Sequence, residues 1–222
     1  YYVLDQELSG YDFFWLAEPD IQICNPNPSE FFDQLNSLNH DFLSVGYGKA
    51  KTNSFFYHSA RLLSETPVSC LFPLTRLKAD KIKTFYKVRK NFSKDFINKR
   101  KPERDYLNDE SFLATVAKKL DYSCGSLEKI TSFNFKLYTV NKDEAFLEED
   151  IKAIQGNFIL HPILDKSTFI DKKIKRFESM LNLNQNAIAW MEDTLIKISD
   201  AKIKRKLKDH FKKVIIRKID ER

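Results

Sequence analysis

Residues 167–198 read STFIDKKIKRFESMLNLNQNAIAWMEDTLIKI, and in them Ile170, Ile174, Phe177, Leu181, Asn184, Ile188, Met191, Leu195 and Ile198 recur in steps of four and three. That is the apolar seam of an amphipathic helix. Gly and Pro are absent from Ile163 to Arg222, so the spacing predicts one helix over 168–198, capped by Ser167 or Thr168. Its seam would bury Ile174, Phe177, Leu181, Ile188, Met191 and Leu195. Two readings are open: the seam closes the chain's own core, or it forms a coiled coil with a second copy or another protein, Asn184 fixing the register. Ser199-Asp200 then offers a fresh cap for a final helix.

Upstream of this block the pattern is mixed. Tyr1–Leu4, Phe13–Leu16, Ile21–Cys24 and Val68–Phe72 are short apolar runs bounded by turn formers and read as strands. Phe133–Val140 (FNFKLYTV) and Phe158–Leu164 read the same way. Short helices are expected from Ser29 to Leu38, over 54–64, from Asp109 or Ser111 to Leu120, and over 144–155. A longer one is expected near 76–98, ending before Pro102. The fold class is therefore α+β: a mixed strand and helix region, 1–166, followed by a helical C-terminal region, 167–222, with a basic end.

Composition narrows the function. The 222 residues are 42% hydrophobic and 14% aromatic, which describes a folded protein. No apolar run approaches the roughly 18 to 20 residues of a membrane span, so no membrane association is expected. Cys24, Cys70 and Cys124 stand far apart and odd in number, which fits a reducing, cytoplasmic setting better than a disulfide framework. The sequence opens on Tyr1, so its native start is expected upstream.

Net charge is +6, but residues 1–75 carry −6, 76–101 carry +9, 102–170 carry −4 and 171–222 carry +7. Two basic blocks on an otherwise acidic chain point to an acidic partner. Within 76–98, Arg76, Lys83, Lys87, Lys90 and Lys94 fall on one side of a helix and Leu77, Phe85, Val88, Phe92 and Phe96 on the other. A helical row of cations can neutralise successive phosphates of RNA or DNA; a plain solvated face is the alternative. The terminal block, including Lys204, Arg205, Lys208 and Lys212, carries the same expectation, with helix solubility or a membrane surface as its alternatives.

Motifs for chemistry are sparse. Gly46-Tyr47-Gly48-Lys49-Ala50-Lys51-Thr52 has two glycines beside lysines but lacks the earlier glycine of a phosphate loop, and Ala50, not Ser or Thr, directly follows Lys49. It reads as a turn. His40, His58, His161 and His210 are isolated, so no metal ligand set and no cofactor is expected. Asp150-Ile151-Lys152 has the acid-x-Lys spacing of a metal nuclease but falls on an expected helix. Arg205 and His210 are spaced Arg-x4-His. That spacing resembles the signature of the HEPN ribonucleases, helical bundles in which the pair cleaves RNA without metal. The resemblance spans six residues, with Lys206 where the family carries a small polar residue. It implies a ribonuclease with Arg205 and His210 as the catalytic pair. On a continuous helix, however, residues five apart point about 140° from each other. The expectation is a non-catalytic nucleic-acid-binding component of a larger assembly.

Overall fold

The computed structural model describes residues 10–54, 56–99, 102, 106–138, 145–151, 154, 156–183 and 186–220. The chain is α+β. In order its elements are β1 (Phe13–Ala17), β2 (Gln22–Cys24), α1 (Ser29–Asn36), β3 (Phe42–Lys49), α2 (Tyr57–Ala60), β4 (Val68–Lys78), α3 (Ala79–Asn98), α4 (Asp109–Lys119), β5 (Cys124–Ser126) and α5 (Leu127–Ile130). There follow β6 (Phe146–Leu147), α6 (Glu148–Ile151), β7 (Phe158–Leu160), β8 (Ile163–Leu164), α7 (Lys166–Asn182), α8 (Ala187–Lys197) and α9 (Ala201–Asp220). They gather into two compact units. The first holds residues up to Pro19 and Asn27–Phe133, and the second Asp20–Pro26 and Asn134–Arg222. The chain thus crosses between the units after Pro19, after Pro26 and after Phe133, and 166, the boundary expected from sequence, lies inside the second unit.

The first unit is built on a four-stranded sheet of order β1-β4-β3-β5, antiparallel except for the β3–β5 pair. Its longest strand, β4, runs on through Pro73, a residue without the N–H a central strand needs. The sheet tolerates it at a register break: Ser44 faces Thr75 but Val45 faces Leu71, so Phe72, Pro73 and Leu74 bulge out of the pairing. A second break, between Val45 and Gly48, centres on Gly46, whose φ of +64° favours glycine. At β5 a Cβ on Gly125 would come within 2.7 Å of Leu43 Cδ2, so any larger residue there would displace the buried Leu43 side chain.

Because β1 pairs with β4 only from Leu74 onward, the first half of that edge of β4 needs other partners. Helix α4 supplies them. Thr115 Oγ1 accepts from the Val68 amide at 3.1 Å and donates to the Val68 carbonyl at 2.8 Å, while Glu110 Oε1 accepts from the Phe72 amide at 3.3 Å. Asn108 caps the helix by accepting from the Ser111 amide, one residue ahead of the cap read from sequence. Every residue of α4 from Ser111 to Ala117 is buried. Around it lie Phe42, Leu77, Ile82, Phe85 and Phe92, which with Phe112 of the helix form the centre of the first core.

In the second unit, β2 pairs antiparallel with β7, and β6 pairs parallel with β8. The remainder is helical. The single helix expected over 168–198 is two helices, α7 and α8. Leu183 ends α7 and Asn186 caps α8, accepting from the Ala189 amide at 3.3 Å. Asn side chains compete for backbone groups and favour such ends, and three of them fall between 182 and 186; Asn184 itself lies outside the described residues. The buried stripe of α7 is Ile170, Lys173, Phe177 and Met180, with Ile174 and Leu181 at its margin. On α8 it is Ala187 and Thr194, while Ile188, expected in the seam, is 43% exposed. Phe177 meets Phe211 of α9 at 4.5 Å between ring centroids, and both are fully buried. Of the six residues expected buried, only Phe177 is; Met191 and Leu195, like Ile174 and Leu181, are partly buried against the unit's own core.

Other expectations shift. The run 133–138 forms turns with isolated bridges at Asn134 and Tyr138 in place of a strand, and Thr139 and Val140 lie outside the described residues, as does the expected strand Tyr1–Leu4. The helix over 54–64 shrinks to the single turn α2, and that over 144–155 to α6 among the described residues. Strand 158–164 is split at His161-Pro162, whose peptide is cis.

Two tests follow from this packing. Thr115→Val removes the one side-chain atom that satisfies both backbone groups of Val68 and is expected to cost about 2 to 4 kcal/mol in urea unfolding. Thr115→Ser, which keeps the hydroxyl, is expected to cost clearly less. At α7, Asp165 accepts from the Ser167 and Thr168 amides and both hydroxyls, which lower its pKa to about 2. A carboxylate lowered in the folded state stabilises above its unfolded pKa and loses that contribution as pH falls through the folded one. Between pH 4 and 2 the wild type is therefore expected to lose more stability than Asp165→Asn, which caps without ionising.

Candidate nucleic-acid interface

Helix α3 grows directly out of β4, with Asp80 in its first turn as the dipole prefers. Ile82, Phe85, Phe92 and Phe96 enter the core, and Val88 is packed at its edge. This anchors one side and turns Lys83, Lys87, Lys90 and Lys94 outward, all four exposed. Steps of four, three and four place them within an arc of about 60°, spread over about 16 Å of helix axis. Among the described residues none of the four pairs with a carboxylate; the Lys90 ammonium lies 5.9 Å from the Tyr86 ring. Lys81, one residue outside the row, behaves otherwise and bonds Asp80 at 3.0 Å, with Asp41 at 3.8 Å.

Arg76 does not belong to this row. Helix was expected from residue 76, but β4 continues to Lys78, and Arg76 is fully buried beneath the sheet. Its guanidinium donates to the carbonyls of Leu35 at 2.5 Å, Leu38 at 2.7 Å and His40 at 3.3 Å, and stacks 4.0 Å from the Phe13 ring centroid. Those carbonyls belong to the C-terminal end of α1 and the turn after it, which is where a helix dipole favours a cation. Burial draws its pKa down to about 10, which leaves it charged at neutral pH. Arg89, on α3, is also structural: it bonds the Leu107 carbonyl at 2.8 Å and Asp109 at 3.0 Å, and lies against Tyr106 and Phe112.

The second basic surface is α9, capped by Asp200, which accepts from the Lys202 and Ile203 amides. Ile203, Leu207, Phe211 and Val214 are buried along one side. Arg205, Lys208 and Lys212 are exposed, with Lys202, Lys206 and Lys213, whereas Lys204 sits half-buried beside the apolar stripe. The helix persists through Val214-Ile215-Ile216, where β-branching raised the prospect of strand. Arg205 and His210 lie on this one unbroken helix, five residues and hence about 140° apart. Arg205 points to solvent. His210 Nε2 instead approaches Glu178 Oε1 at 3.8 Å, which the Arg217 guanidinium also approaches at 3.9 Å. The pair does not converge on a common point.

The other motifs resolve as scaffold. Gly46 donates its amide to both oxygens of Glu128, at 3.1 and 3.2 Å, so that amide is already spent on a carboxylate. Asp150 lies on the single turn α6 and accepts from the Ser199 hydroxyl, while Glu144 and Lys152 are outside the described residues. His161 Nε2 is 3.6 Å from Asp20, and the imidazole stacks on Tyr138 at 5.1 Å. Sequence reasoning missed Lys173: only 6% exposed, with its ammonium 5.0 Å from the Phe169 ring and 5.9 Å from that of Trp190. Its position one residue before the seam residue Ile174 was the available signal. Among the described residues no helix is long and apolar enough to cross a membrane.

Comparison with models of protein families, with curated proteins and with solved structures returned no match.

Since Arg76 holds three carbonyls of the fold, Arg76→Met is expected to cost about 2 to 5 kcal/mol in urea unfolding. Arg76→Lys keeps the charge but not the planar fork and is expected to fall between. Neither should alter nucleic-acid affinity per folded molecule, measured by titration after the folded fraction is set equal.

Proposed function

We propose that this protein binds nucleic acid, RNA or DNA, as a non-catalytic component of a larger assembly, holding the phosphate backbone on Lys83, Lys87, Lys90 and Lys94. The observation that carries the reading is the row itself: four exposed ammonium groups in one narrow arc, without carboxylate partners among the described residues, on a helix whose other side is anchored in the core. Phosphates attract such a row because each contact releases condensed counterions. Helix α9 adds a second surface of the same character through Arg205, Lys208 and Lys212, with Lys202, Lys206 and Lys213. The divergence of Arg205 and His210 favours binding over cleavage, and no observation favours the ribonuclease reading.

Replacing Lys83, Lys87 and Lys90 with Gln keeps helix propensity and leaves the apolar side untouched. The triple variant is expected to fold as the wild type does and to bind several sequences proportionally more weakly. Its plot of log affinity against log salt should be shallower by about two to three units. Wild type without affinity for any single- or double-stranded RNA or DNA at about 50 mM salt would refute the reading. An unchanged slope in the triple variant would move the interface to α9.

A further inference from the structure

A cavity of about 550 Å³ opens in the first unit, lined by Tyr47, Lys49, Val68, Lys118, Tyr122 and Cys124, with Gly48, Thr66 and Pro67 completing the wall. We propose that this cavity is a mononucleotide site: one base lies against Tyr47 and Tyr122, and its phosphate lies between Lys49 and Lys118. The inference rests on the nucleic-acid reading for the class of ligand, but on different residues.

The size is that of a small-ligand pocket, which spans about 300 to 1,000 Å³ and combines apolar walls with a few placed polar groups. The aromatic wall is braced from beneath. Tyr47 packs on Phe42 at 5.7 Å, Tyr122 on Phe85 at 5.7 Å, and Phe42 on Phe85 at 6.4 Å, with both phenylalanines fully buried. Cys124 stands beside them on the wall and donates its thiol to the Tyr122 carbonyl at 3.2 Å. Such fixed rings suit stacking, which is tolerant of base identity because every base has a π face.

The charges are of one sign. Lys49 ends β3 and Lys118 stands in the last turn of α4, both exposed, and no carboxylate lines the cavity. Two ammonium groups beside an aromatic wall match a base joined to a phosphate. The bulge at Gly46 makes this possible, since an inserted residue re-aims the side chains that follow it, here Tyr47, Gly48 and Lys49. The glycine–lysine run therefore reaches a candidate phosphate through its lysine, while its first amide is held by Glu128.

The thiol supplies the readout. Cys24 and Cys70 are buried and Cys124 is only partly so, so alkylation of the full chain by iodoacetamide should mark Cys124, with peptide mass spectrometry identifying the site. Burial raises the thiol's pKa, so labelling is run at alkaline pH. AMP, UMP, the matching nucleosides, inorganic phosphate and a single-stranded oligonucleotide serve as probes. Nucleotides are expected to slow labelling, nucleosides to do so only at higher concentration, and phosphate alone to fail. The double variant Lys49→Gln, Lys118→Gln, at exposed positions and with an unchanged melting curve, should raise the half-protecting nucleotide concentration about tenfold. No protection by any nucleotide up to about 10 mM, with oligonucleotide binding intact, would overturn the pocket and leave the α3 interface standing. Equal protection by phosphate and nucleotide would overturn it as well, since the rings would then contribute nothing. Protection by AMP or UMP in a protein that binds no polymer would uphold the pocket and refute the nucleic-acid reading.

Discussion

Strand β4 has a sheet partner along only part of one edge, and the architecture of the first unit follows from how the remaining backbone groups are satisfied. An unpaired N–H or C=O inside a protein costs about as much as a lost hydrogen bond, and an open edge also invites other strands. Helix α4 answers both by laying Thr115 and Glu110 along the edge. That requirement explains why α4 is buried through seven consecutive residues while its first turn stays acidic and its last basic. It also explains how a proline can occupy the strand: at Pro73 the pairing with β3 has already slipped, and no partner awaits the missing donor.

The same strand sorts the positive charge. Its C-terminal end carries Arg76 inward to the carbonyls after α1, and two residues later it becomes α3, whose apolar anchors turn four lysines outward. Basic residues that are neighbours in sequence thus serve opposite purposes. Arg76, Arg89 and Lys173 are sunk among rings and, for the two arginines, carbonyls. Arginine suits such places because its fork reaches several acceptors at once and its charge is weakly hydrated. The exposed row consists of lysines alone, compact and strongly hydrated charges.

Much of this was legible in the sequence, and the errors share a cause. Strands at Phe13 and Val68, the helices at Ser29 and 201, and the apolar face of α3 all showed in periodicity because one face of each is buried, and α4, buried through seven residues, showed through its cap signals at Asn108–Ser111 and its end near Leu120. The heptad over 170–198 has the right period but no information about chain reversal; three asparagines in five residues signal a break, but the middle one, Asn184, also fits the seam as a register device. Arg76 was misplaced because the helical pattern of 79–98 extrapolates smoothly into a strand end, where only the sheet decides which way a side chain points. The pocket was half visible: its glycine–lysine run stood out, but Tyr122 and Cys124 join it through a parallel strand pair about eighty residues away. Long-range pairing of that kind leaves no local period.

The strongest reason to treat the α3 row as a site, and not as an ordinary solvated face, lies in what the helix forgoes. Like charges three and four residues apart repel by about 0.2 to 0.5 kcal/mol per pair, and an acid placed among them would turn that cost into a gain. The chain uses this remedy nearby, where Lys81 is held by Asp80 and Asp41, and again at Lys197 with Asp193, four residues apart on α8. Along 83, 87, 90 and 94 it does not among the described residues. The helix tolerates the repulsion because its stability comes from Phe85, Phe92 and Phe96 in the core and not from its surface. A surface left without carboxylate partners among the described residues, on an element anchored in the core, is the observation that supports the proposed partner, one that brings the negative charge with it.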